Sequence, residues 1–85
     1  MTYKIQFSRA AAKELQEIPG SDLKKLSKKI EKLAENPLPP GHEKLKGKDA
    51  IYRIRQGDYR ILYSIFDKTC VILIVKIGHR REVYR

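Results

Sequence analysis

The stretch Tyr52-Arg53-Ile54-Arg55-Gln56-Gly57-Asp58-Tyr59-Arg60-Ile61-Leu62-Tyr63 limits what this chain can fold into more sharply than any other. Apolar and cationic residues alternate at period two, break at Gly57-Asp58 and alternate again, which is the signature of a β-hairpin. Tyr52 and Ile54 point to one side and Arg53 and Arg55 to the other. In the second strand Tyr59, Ile61, Tyr63 and Ile65 share a face, and Arg60 lies opposite. If the apolar faces meet the core, Arg53, Arg55 and Arg60 converge on the exposed side. Arg80 emerges after the adjoining strand and can reach the same groove.

The choice of cation matters as much as its placement. Six of the seven arginines follow residue 50, whereas ten of the twelve lysines precede it. A guanidinium holds phosphate oxygens with a planar fork, while an ammonium acts as a hydrated point charge. Four guanidiniums with little acid nearby repel one another, and an anion is the natural occupant of the space between them. Strand arginines also cover sheet edges against aggregation. Charge spread along the strands would serve that purpose equally well, so the clustering favours phosphate.

The rest of the chain supplies a cover for the hairpin. Tyr3, Ile5 and Phe7 alternate with Lys4 and Gln6, which predicts a first strand with one buried face. Ser8 caps a helix over about 9–18, whose Ala11, Leu15 and Ile18 share a face, and Pro19-Gly20 stops it. Ser21 or Asp22 caps a second helix carrying Leu23, Leu26, Ile30, Leu33 and Ala34 at helical spacing, and Asn36-Pro37 ends it. So short a joint makes the two helices an antiparallel hairpin. A Pro/Gly/Lys-rich connector with one extended piece near Leu45 leads to three strands, roughly 51–56, 59–66 and 70–77. The last is apolar on both faces until Lys76 and belongs inside the sheet. Gly78 then releases the tail. The expected fold is α+β, β-α-α-β-β-β, with the helical hairpin on one face of a small, mainly antiparallel sheet and one domain over 1–85.

Lys24, Lys25, Lys28, Lys29 and Lys32 fall opposite the apolar stripe of the second helix. They read first as a solvated face, with Lys24 and Lys28 as candidates for an auxiliary RNA contact. The formal net charge of +9 on 85 residues favours nucleic acid, an anionic surface or an acidic protein as partner. The single Cys70 borders an apolar run and reads as a small buried hydrophobe, in keeping with a reducing cytosol. Met1 leads straight into a strand-like pattern without a signal peptide, and no apolar run is long enough to span a bilayer. One cysteine, two separated histidines and no carboxylate cluster leave no metal site, and no Gly-rich phosphate loop or Ser/His/Asp arrangement occurs. A nuclease built from these residues works without a metal or other cofactor.

The hairpin motif, together with Ile77-Gly78-His79-Arg80-Arg81-Glu82-Val83-Tyr84, resembles the RelE/ParE toxin superfamily, and within it the RelE branch. The likeness extends over nearly the whole chain, including the lysine-rich second helix and Lys44-Leu45-Lys46-Gly47. It implies the toxin of a type II toxin–antitoxin pair acting in the cytoplasm. RelE-like toxins enter the ribosomal A site and cut mRNA there without metal, using the RNA's own 2′-hydroxyl as nucleophile. By that resemblance Arg60 and Arg80 match positions that hold the scissile phosphate, and Tyr84 matches the tyrosine associated with the substrate nucleotide. Arg81 is an RNA-binding candidate in the same tail. Relatives often carry lysines, assigned to proton transfer, where this chain has Arg53 and Arg55. Arginine stays protonated at physiological pH and serves to stabilise charge. Proton transfer then falls to His79, which titrates near neutrality, or to Glu43, which resembles a carboxylate used by the related YoeB toxins.

The implied partners are a cognate antitoxin, whose N-terminal part binds operator DNA, and the ribosome with its A-site mRNA; no membrane is involved. The tail stops at Arg85, whereas many relatives continue into a C-terminal helix to which antitoxins bind. Two other readings stay open. One is a non-enzymatic inhibitor of DNA gyrase like the ParE branch, although ParE-like chains usually lack the full tail constellation. The other is a basic RNA-binding module without chemistry.

Overall fold

A computed structural model of the chain describes residues 2–45 and 50–79. The elements are β1 (Lys4–Phe7), α1 (Arg9–Gln16), α2 (Gly20–Glu35), β2 (Glu43–Lys44), β3 (Ile51–Gln56), β4 (Tyr59–Phe66) and β5 (Val71–His79). They form a five-stranded sheet in the order β1-β5-β4-β3-β2, with both helices packed against it. β1 runs parallel to β5, and the other neighbours are antiparallel. β5 is interior, as its two apolar faces require. The α+β class is as expected, with β2 as an added edge strand where the extended piece near Leu45 was anticipated.

One core holds these layers together. Ala11, Leu26, Ile30 and Leu33 from the helices meet Ile54, Ile61, Tyr63, Ile72, Ile74 and Ile77 from the sheet. Each fully buried aliphatic side chain contributes about 1.5–3 kcal/mol relative to exposure. Tyr63 also carries a hydroxyl into this layer, where it donates to the Pro37 carbonyl at 2.6 Å and ties the loop after α2 to the sheet. Burial pushes that phenol up to about 12.

Ser8 is the N-cap of α1: its Oγ accepts from the Ala11 N–H at 3.0 Å. The same hydroxyl donates to the Val75 carbonyl at 2.6 Å. Val75 is the extra residue of a β-bulge, since Tyr63 pairs with Ile74 and Leu62 with Lys76. α1 closes at Gln16, two residues short of the expected end. α2 starts at Gly20 behind Pro19 without a side-chain cap, so neither Ser21 nor Asp22 has that role. Pro19, at φ −55° and ψ 147°, is already extended for helix entry, and its carbonyl takes the Leu23 N–H at 2.8 Å.

Three further expectations change. Phe7 is 39% exposed rather than buried, because β1 is an edge strand that ends opposite Ile74. Cys70 is only half-buried and sits in the turn before β5 at φ 53°, where the chain must reverse between Phe66 and Val71. Gly78 does not release the chain: it pairs with Arg60, and β5 continues to His79 opposite Tyr59. No helix among the described residues is long and apolar enough to cross a membrane.

Candidate functional site

Two turns place the charged residues. Gly57-Asp58 joins β3 to β4 with positive φ only at Gly57 (61°), the pattern of a type II′ hairpin. This turn fixes the register Arg55↔Arg60 and Arg53↔Leu62. At the far edge, Pro39-Pro40-Gly41-His42 makes a type II turn, with Gly41 at φ 88° and the His42 N–H on the Pro39 carbonyl at 3.1 Å. His42 packs edge-on against Tyr52, with centroids 6.0 Å apart, and Tyr52 leans on Tyr63 at 5.7 Å. The turn delivers Glu43 into β2 directly opposite Arg53.

Because Ile54 and Ile61 are buried against the helices, alternation sends Arg53, Arg55 and Arg60 to the other side of the sheet. Glu43, paired with Arg53, lies on that side too. The four groups form two adjacent rows, Glu43–Arg53 and Arg55–Arg60, about 7 Å apart along the strands. Arg53 Nη2 contacts Glu43 Oε1 at 2.9 Å, and the two side chains are 17% and 51% exposed. Arg53 holds the Glu43 carboxyl below its usual range, first by this hydrogen bond and then by charge, with weaker contributions from the charges of Arg55 and Arg60. All three guanidiniums therefore act on one carboxylate. Arg55 is exposed, but Arg60 is not: it is 3% exposed, against the expectation of an open position. It stands mid-sheet on a strand flanked on both sides, between Arg55 and Gly78 across the two ladders.

His79 is not in this group. It lies across from Tyr59, on the helix side, with the rings edge-to-face at 5.4 Å and 89°. There it borders one cleft of about 180 Å³ with Glu14, Glu17 and Ile18, and a second of about 200 Å³ with Asp22, Lys25 and Asp58. The Val75 bulge is the cause. Strict alternation from Ile74 would turn His79 toward the arginines, and one extra residue reverses it. Lys24 and Lys28 are exposed on α2, across the molecule from the arginine face. Arg80, Arg81 and Tyr84 lie outside the described residues, as do Lys46 and Gly47. Among the described residues no group of three or more His, Cys, Asp or Glu is placed to hold a metal ion.

The chain matches, over residues 5–84, the family described as the ParE toxin of the type II toxin–antitoxin system parDE. It belongs to the RelE/ParE toxin family. A Methanocaldococcus jannaschii chain that carries the name toxin RelE1 provisionally is 34% identical over 100% of this chain and 98% of its own length. The RelE-like fold is equally plain in solved structures. The archaeal RelE–RelB complex from Pyrococcus horikoshii contains a chain that superposes with TM-score 0.83 at 33% identity, covering 96% of this chain and 99% of that one. The intact Escherichia coli RelBE toxin–antitoxin complex gives TM-score 0.80 at 26% identity, covering 91% and 95%. The named relatives thus carry RelE names, while the family description names ParE.

Sequence reasoning missed the Glu43–Arg53 pairing, because Glu43 reads as a loop residue there. Pro40-Gly41 was the available signal: a type II turn immediately before Glu43 points the chain into a strand.

Proposed function

We propose that this RelE-family toxin is a metal-independent endoribonuclease that cuts mRNA in the ribosomal A site by 2′-hydroxyl attack. The observation that carries the proposal is the gathering of Arg53, Arg55 and Arg60 around the ionised Glu43 on the face of the sheet away from the helices. In the reaction the 2′ oxygen bonds to phosphorus, its proton passes to Glu43, and the P–O5′ bond breaks. The 5′ oxygen takes up a proton from water, leaving a 2′,3′-cyclic phosphate and a 5′-hydroxyl. Arg55 meets the phosphate from its exposed position, and Arg60 adds charge from a buried one, where a fixed cation stabilises developing charge most effectively. Glu43 rather than His79 is the proton acceptor, since His79 lies across the sheet. Arg80 and Tyr84 complete the phosphate and nucleotide contacts, as the family resemblance implies.

A toxin of +9 charge calls for an acidic antitoxin segment that folds onto the cationic face. The antitoxin's own N-terminal part would carry the pair to operator DNA, and both would act in the cytoplasm. RelE–RelB complexes among similar structures support such a partner. The test is mapping of mRNA ends on programmed ribosomes with purified protein. Wild type should generate new A-site ends, and Arg60→Ala should slow their formation by about 10²–10³-fold. His79→Ala should leave the rate within a few-fold of wild type. The ParE description of the family keeps a gyrase reading in play: gyrase-dependent DNA breaks with intact mRNA would favour it.

A further inference from the structure

We infer that Arg53 is a positioning residue, which holds the Glu43 carboxylate beside Arg55 and Arg60 and does not itself grip the RNA. The inference rests on the endoribonuclease reading and divides labour within its cationic cluster. Glu43 sits on β2, a strand of only two residues at the edge of the sheet. A half-exposed carboxylate there samples several rotamers unless a partner fixes it. Arg53 is that partner, through the contact of Nη2 with Oε1. The bond uses one carboxylate oxygen, and among the described residues none bonds Oε2, which can take a proton.

Arg53 is poorly built to serve the substrate directly. Its side chain is 17% exposed, and its Nε is buried with no hydrogen-bond acceptor among the described residues. The guanidinium is therefore set into the sheet surface, with its contact spent on Glu43, whereas Arg55 in the next row is open. Among the described residues, the charged groups acting on Glu43 are Arg53 and Arg55 from β3 and Arg60 from β4.

A double-mutant cycle on single-turnover cleavage of A-site mRNA by the full chain tests the assignment. Glu43→Gln should slow cleavage by about 10²–10⁴-fold, the range for removing a general base. Arg53→Ala should lower kcat by about 10–10²-fold, the scale of a misplaced reacting group, with KM nearly unchanged. Arg53→Lys, which keeps a cation within reach of Glu43, should recover most of that loss. The double variant should be no slower than Glu43→Gln alone. Losses that multiply in the double variant, or a KM that rises with Arg53→Ala, would show Arg53 gripping RNA and overturn the proposal. A carbon-13 titration of Glu43 in the free toxin gives a second readout independent of cleavage. Its midpoint should rise in Arg53→Ala, and an unmoved midpoint also overturns the proposal. Failure of the wild type to cut mRNA would instead overturn the nuclease reading itself, and the proposal with it.

Discussion

Glu43 differs from an ordinary surface glutamate because three guanidiniums act on it, led by the hydrogen bond from Arg53. Its carboxyl titrates below the ordinary 4.5 in the folded chain. A depressed folded value adds stability that is fully present above the unfolded value and is lost as pH falls through the folded one. In urea melts, wild type should therefore be slightly more stable than Glu43→Gln at neutral pH. That small margin, typical of an exposed pair, should disappear in acid below the ordinary glutamate range. A margin independent of pH would place the effect in packing instead of charge. In the proposed reaction, the same lowered affinity for protons would make Glu43 a modest base but one that is always ready. A guanidinium offers fixed charge and donors, with no lone pair to accept a proton, so the arginines serve to hold charge. The proposed division between charge holders and a proton acceptor thus follows from side-chain chemistry alone.

At the level of elements, the hairpin of β3 and β4 places Arg55 directly opposite Arg60. Like charges directly opposite one another destabilise a sheet. Replacing Arg55 by threonine should therefore raise the urea midpoint while reducing mRNA cleavage, the pattern expected where a site is held against the interests of the fold. A loss of both stability and activity would contradict a functional origin for the pair. This hairpin was legible in the sequence because period-two alternation and Gly57-Asp58 state the strands, faces and register together. The helices were legible from their Leu/Ile stripes, as were the Ser8 cap of α1 and the Asn36 end of α2, but the joint between them was not: α1 closes at Gln16, and Pro19, not Ser21 or Asp22, caps α2. Parity in β5 could not be read, because Val71-Ile72-Leu73-Ile74-Val75 is apolar throughout and hides the extra residue. The bulge at Val75 is what moves His79 from the arginine side to the helix side. β2 was foreseen only as an extended piece near Leu45, without its partner or register, since two residues carry no periodicity at all.

For the molecule as a whole, the two kinds of cation lie on different layers. Lysines such as Lys24 and Lys28 are exposed on α2, and the arginines of β3 and β4 occupy the opposite side of the sheet. A net charge of +9 favours anionic partners from any direction, but among the described residues it is the arginine side that sets several guanidiniums around one carboxylate. Affinity for a short single-stranded RNA should fall with salt. Each exposed phosphate contact should contribute about −0.7 to the slope of log K against log salt, so Arg55→Ala should reduce the slope by about that amount. Lys24→Ala and Lys28→Ala should weaken binding without changing where mRNA is cut. Equal effects of the lysine and arginine variants on the cut would mean that the sheet face has no special part.

The most direct test of the whole account is to map mRNA 5′ ends on ribosomes paused with a filled message, after adding either the wild-type chain or Glu43→Gln and Arg60→Ala variants. Guanidiniums and a carboxylate acting together at one phosphodiester predict new 5′-hydroxyl ends in the A site with wild type, and a loss of about two orders of magnitude or more in each variant. Identical end profiles from all three proteins would contradict it.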